Sequence, residues 1–137
     1  YTEPKSSLGV RDDMGKYKID FYRDADGYSD FEVYLEELIE STDRTELATA
    51  KKLRYQLGLL SSAGPALRAP QVTELKGYRY KLFELRPLPE RVFFAFWDKD
   101  RYVILSHYTK RQNKTDPREV KRALARMDDW LERKGKW

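Results

Sequence analysis

Leu82-Phe83-Glu84-Leu85-Arg86-Pro87-Leu88-Pro89-Glu90-Arg91-Val92-Phe93-Phe94-Ala95-Phe96-Trp97 decides the fold. Apolar residues alternate with polar ones before a Pro-rich turn, and an apolar run follows it. Successive side chains of a strand point to opposite faces, so this pattern predicts an antiparallel hairpin. A four-residue loop, Pro87–Glu90, sets Arg86 opposite Arg91. It then sets Leu85 opposite Val92, Glu84 opposite Phe93 and Phe83 opposite Phe94. The same period runs outward in both directions. Val72–Lys76, Tyr80–Arg86, Val92–Trp97 and Tyr102–Tyr108 read as four strands of an antiparallel meander joined by short turns. The Asp98–Arg101 turn places Phe94 against Leu105 and Arg91 against Tyr108.

The flanks have a different rhythm. Tyr17, Ile19 and Phe21 share one face of a short strand, and Asp24–Gly27 turns the chain. Ser29 caps a helix with the stripe Phe31, Tyr34, Leu35, Leu38 and Ile39. Asp43-x-x-Glu46 opens a second helix as a capping box, with the stripe Leu47, Ala50, Leu53, Leu57 and Leu60. Gly64-Pro65 stops it. Asp116-Pro117-x-Glu119 opens a last helix, whose stripe is Val120, Ala123, Leu124, Met127 and Leu131. The expected fold is α+β: a strand, a two-helix hairpin, an antiparallel β-meander and a C-terminal helix. Residues 1–15 show no periodicity. Met14 is a candidate start, so residues 1–13 read as an upstream extension and 14–137 as a single domain. There is no internal repeat and no interdomain linker.

Composition narrows the function. Of 137 residues 40% are apolar and 36% charged, enough apolar mass for one core under a wet surface. No apolar run approaches the roughly 20 residues of a membrane span, and the N-terminus lacks a signal-peptide pattern. Zero Cys and one His leave no thiolate or histidine cluster for a metal, so a cytosolic protein without cofactor is expected. The net charge of +4 is unevenly spread. Residues 1–67 carry 9 Lys/Arg against 13 Asp/Glu, and residues 68–137 carry 18 against 10. The second half is the one that attracts a polyanion.

Within that half the hairpin register sorts side chains by face. Phe83, Leu85, Val92, Phe94, Phe96, Val103 and Leu105 form the face expected under the helices. Glu84, Arg86, Arg91, Ser106 and Tyr108, with Lys110 one step on, form the other. Guanidiniums facing each other at Cβ distances of roughly 5 Å repel, by up to about 3 kcal/mol at an effective dielectric near 20. Two readings answer that repulsion. Both arginines bond Glu84 as a polar cluster, or they form a phosphate site, which paired guanidiniums match in a fork geometry. On the second reading neither arginine serves folding, and removing Arg91 leaves stability unchanged or slightly raised. Tyr108 is either a half-buried strand tyrosine or a platform for a base. Lys110, Arg111 and Lys114 extend the basic face beyond the strand end. His107 has the opposite parity and reads as a packed histidine rather than a general base.

Leu75-Lys76, Leu82 through Arg86, Arg91-Val92, His107 through Arg111, Lys114 through Pro117, Glu119 and Ala123 together resemble the HigB-like, phage-associated branch of the RelE/ParE toxin superfamily. The similarity covers about residues 72–125. It implies the toxin of a type II toxin–antitoxin pair, an endoribonuclease that cuts mRNA on the ribosome and is neutralised by a helix-turn-helix antitoxin. Arg86, Arg91 and Lys110 would then stabilise the transition state without a metal. Glu84 would take the 2′-OH proton or orient the arginines, and Lys76, Tyr108, Arg111 and Lys114 would bind RNA. One departure stands out: some RelE-type members carry a tyrosine shortly after the Lys-Arg pair, and positions 112–120 hold none here. Two other functions suit the same resemblance and charge. One is a ParE-like gyrase poison that cuts nothing, and the other a passive nucleic-acid-binding module.

Overall fold

The computed structural model describes residues 16–67, 72–87, 90–109 and 115–134. The expectations for residues 1–13 and for Lys110, Arg111 and Lys114 lie outside these. The described residues form three α-helices and a five-stranded sheet. The mixed α+β order is the expected one.

Strand β1 (Lys18–Phe21) leads into helix α1 (Asp30–Ile39), and helix α2 (Arg44–Ala63) folds back beside it. The caps work as their residue types dictate. Ser29 Oγ accepts from the Glu32 N–H at 3.2 Å, and an Asp43 carboxylate oxygen accepts from the Glu46 N–H at 3.0 Å. The return half of the second box runs through Ser41. Its hydroxyl donates to Glu46 at 2.5 Å and accepts from the Asp43 N–H at 2.9 Å. At Gly64 the backbone takes φ +53° and packs directly on the Tyr17 ring. A side chain there would be strained and would also strike that ring, so only glycine can end α2 in this way.

The sheet order is β1-β5-β4-β3-β2. It comprises β2 (Val72–Leu75), β3 (Leu82–Leu85), β4 (Glu90–Asp98) and β5 (Arg101–Thr109) as an antiparallel meander, with β1 parallel to β5 at one edge. The hairpin register is the expected one: Leu85 pairs with Val92, Glu84 with Phe93 and Phe83 with Phe94. β4 is longer than expected, because Glu90 joins the ladder opposite Thr109 instead of ending the turn. The β4–β5 pairing starts as expected at Arg91–Tyr108, but a bulge follows, and Phe94 meets Ile104 rather than Leu105. The extra residue reverses side-chain parity. Val103 and Leu105 therefore leave the face assigned to them and pack with helix α3 (Pro117–Lys134). Ile104 and Tyr102 take their place beneath α1 and α2.

Two apolar layers result, one on each side of the sheet. Val92, Phe94, Leu85, Tyr102 and Ile104 pack against Phe31, Leu35, Leu53, Leu57 and Leu60 of the helical hairpin. Phe93, Ala95, Trp97, Val103 and Leu105 pack against Val120, Ala123, Met127, Trp130 and Leu131 of α3. Arg126 of α3 ties the layers together: its guanidinium donates to both Asp30 carboxylate oxygens at 2.8 and 3.0 Å and to the Leu105 carbonyl at 2.9 Å. Leu47 departs from the expected stripe and is 40% exposed. Among the described residues no helix is long and apolar enough to cross a membrane.

Candidate nucleic-acid interface

The sheet face covered by α3 turns polar toward the ends of β3 and β5 and the start of β4. Glu84, Phe93 and Ser106 form one rung across β3, β4 and β5, and Arg91 and Tyr108 form the next. Arg86 follows the last residue of β3. The arginines are not left to repel each other, because Glu84 stands between them. Its carboxylate accepts from Arg86 Nε at 3.0 Å and lies 3.9 Å from Arg91 Nε. Glu84 is fully buried and Arg91 is 7% exposed, whereas the Arg86 side chain keeps about a third of its surface in solvent (31%). Arg91 also donates from Nη1 to the Glu90 carbonyl at 3.1 Å.

This cluster is incompletely satisfied. Glu84 Oε2, Arg91 Nε and Ser106 Oγ are buried without a hydrogen-bond partner among the described residues. A distance of 3.9 Å is too long for a hydrogen bond, so Arg91 and Glu84 attract by charge alone. Buried polar atoms are nearly always bonded, so a group of unbonded ones on a single face calls for a partner such as an ordered water, an ion or a bound group. Tyr108 stacks on Phe93 with ring centroids 5.6 Å apart. Its hydroxyl is buried near the Asp116 backbone N–H without reaching hydrogen-bond geometry. Burial above all pushes the phenol up from its ordinary value of 10.0, so it stays protonated at neutral pH. It can donate a hydrogen bond and cannot act as a base.

The structure thus brings Glu84, Arg86, Arg91, Ser106 and Tyr108 together, the face that the hairpin register predicts. It does not bring Lys76 to them. Leu75 pairs with Leu82, so Lys76 leaves β2 at the opposite end of the ladder from Arg86. At 3.4 Å per residue the separation along β3 is roughly 17 Å.

His107 faces the other layer, as its parity predicts. It stacks on Tyr34 at 4.4 Å and meets Phe31 edge-on at 5.4 Å. Burial lowers its pKa from the ordinary 6.5, against the upward pull of Asp30 and Glu90, while Arg122 and Arg126 also push it down. The folded state therefore holds a neutral imidazole, and the unfolded chain binds the proton more readily. Stability should fall as pH drops through about 6.5 and below. Melting temperatures between about pH 8 and 5.5 check this. The decline should be clear in the wild type and smaller in His107→Phe, which keeps the ring stack; equal declines in both would refute it.

Sequence reasoning missed Glu90. It is buried and accepts from the Thr109 hydroxyl at 2.8 Å, and the half-buried Tyr34 phenol is pushed up first by its burial and then by the charge of Glu90 and a hydrogen bond to it. Its place in a Pro-rich turn disguised it, since the sequence carries no sign that the ladder begins one residue before Arg91.

The family model described as Phage derived protein Gp49-like (DUF891) matches residues 40–128. The chain belongs to that family. The match spans α2, the whole meander and most of α3, and so includes every described residue of the polar cluster. The Gp49-like family is a RelE/toxin-like family. No curated protein matches the chain.

Proposed function

We propose that this Gp49-like protein is the toxin of a type II toxin–antitoxin pair and cleaves mRNA in the ribosomal A site. The observation that carries this reading is the incompletely bonded Glu84–Arg86–Arg91 cluster, set in the basic half of a chain from a RelE-like family. A phosphate that reached this face would complete the bonding of Arg91 and offset the buried positive charge.

In the proposed reaction the RNA 2′-oxygen attacks the adjacent phosphorus and the bond to the 5′-oxygen breaks. The 2′-OH proton leaves to water and the departing 5′-oxygen takes one up, so the products are a 2′,3′-cyclic phosphate and a 5′-hydroxyl. Negative charge grows on the phosphoryl oxygens, and preorganised cations aimed there stabilise the transition state. Arg86 and Arg91 fill that role, with Lys110 as the proposed third cation. Glu84, wholly buried beneath the guanidiniums, orients them. Tyr108 supplies a protonated hydroxyl beside them, and Arg111 and Lys114 bind the RNA backbone. The proposed partners are mRNA on the ribosome and a cognate helix-turn-helix antitoxin.

The test is primer extension on an mRNA translated with the purified protein. New 3′ ends inside the reading frame, present only when ribosomes translate it, are expected. Intact mRNA together with blocked gyrase supercoiling would identify a gyrase poison instead. Intact mRNA retained on the folded protein would identify a passive binder.

A further inference from the structure

We propose that the groove between the end of α1 and the first three turns of α2 docks an acidic amphipathic helix from a partner protein. The groove encloses about 440 Å³, and its walls include Ile39, Arg44, Leu47, Ala48, Lys51 and Arg54. The α2 residues recur at intervals of three or four, so they form one stripe along the helix. At 1.5 Å per residue the stripe is about 15 Å long, the span of a partner helix of about three turns.

Three features of this stripe run against what folding alone requires. Leu47 lies on the apolar stripe of α2, yet it is left open to solvent. Arg44 is the first residue of α2, at the positive end of the helix dipole, where a cation is unfavourable. Among the described residues Arg44, Lys51 and Arg54 make no ion pair, and no acidic residue lines the groove. The nearby carboxylates of Asp43 and Glu46 are engaged by the Glu46 N–H and the Ser41 hydroxyl. Three unpaired cations around an apolar floor, in the half of the chain that is net acidic, complement a helix with Leu-type anchors flanked by Glu or Asp.

That geometry favours protein over RNA. A single-stranded nucleic acid seeks cations interleaved with aromatic platforms. Here the floor is aliphatic, which suits helix anchors spaced i, i+3, i+4 and i+7. The groove belongs to the layer on the opposite side of the sheet from Glu84 and Arg91. The proposal therefore stands whether or not the protein cleaves RNA.

The probe is a fluorescent, helix-stapled peptide of about three turns with leucines on one face and glutamates elsewhere. Fluorescence anisotropy should show saturable binding to the full chain that weakens as salt is raised. Leu47→Asp and Lys51→Glu should each weaken it about tenfold, or about 1.4 kcal/mol. Because both side chains are exposed, the melting temperature of each variant should match that of the wild type. Amide chemical-shift changes should cluster at residues 39–55, and a lysine-for-glutamate version of the peptide should not bind. Three results would overturn the proposal: no saturable binding, binding untouched by Lys51→Glu and Lys51→Gln, or an oligouridylate moving these amides when the peptide does not.

Discussion

Phe94→Ala should lower unfolding free energy by roughly 3–5 kcal/mol, the range for emptying a large aromatic site in a packed core. Phe94 is 1% exposed at the centre of β4. It stacks on Phe83 with centroids 5.3 Å apart and meets Tyr102 in a T-shaped contact at 5.2 Å. Its neighbours on the same face, Val92 and Leu85, are fully buried under the helical hairpin. Backbone pairing on both sides fixes β4, so the sheet cannot close over the void. Urea unfolding should show a lower midpoint at an unchanged slope. Phe83→Ala, at a half-buried position, should have a clearly smaller effect. Equal losses at the two positions would mean that the aromatic pair, and not the depth of burial, governs this part of the core.

The same strand shows how far the sequence could be read. Turn length and alternation were enough to set Leu85, Glu84 and Phe83 opposite their partners, because a hairpin register is a local property. The bulge after Phe93 was not legible. A one-residue insertion in β5 leaves no compositional mark when both alternatives, Ile104 and Leu105, are apolar. One clue to two-sided burial was present. Val92 through Trp97 is continuously apolar, and Val103-Ile104-Leu105 repeats that habit, which is how strands covered on both faces read. Helix α3 supplies the second cover. At the candidate site, parity gathered Glu84, Arg91, Ser106 and Tyr108 correctly, and it sent His107 to the other layer. It could not reveal that Glu84 lies between the arginines, since that depends on side-chain rotamers. Nor could it show that Lys76 stands at the far end of the ladder, where resemblance, not register, had suggested a role.

Arg91→Ala should remove most RNA cleavage, roughly 10²–10³ in rate by analogy with the loss of one transition-state donor. It should also destabilise the protein. Mutual repulsion of Arg86 and Arg91 predicted a neutral or stabilising change, but the structure places a fully buried carboxylate between them. Removing Arg91 leaves Glu84 with Arg86 alone, at 3.0 Å, and empties part of a buried site. A loss of about 1–3 kcal/mol follows, as for a buried polar group deprived of a partner. Cleavage lost together with stability does not by itself separate the two roles, so two further variants are needed. Arg91→Lys keeps the charge near Glu84 and should regain most of the stability. It should rescue cleavage only in part, because one ammonium cannot reproduce the bidentate fork. Glu84→Gln should destabilise as well, by leaving Arg91 buried without a counter-charge. Both guanidiniums remain in that variant, so its cleavage should fall less than in Arg91→Ala. The decisive comparison is cleavage rate, measured at a temperature where every variant is folded, against unfolding free energy. If Arg91→Lys regains rate and stability in equal proportion, the cluster is structural and the RNA site lies elsewhere. If stability returns while the rate stays low, the guanidinium of Arg91 acts on the phosphate.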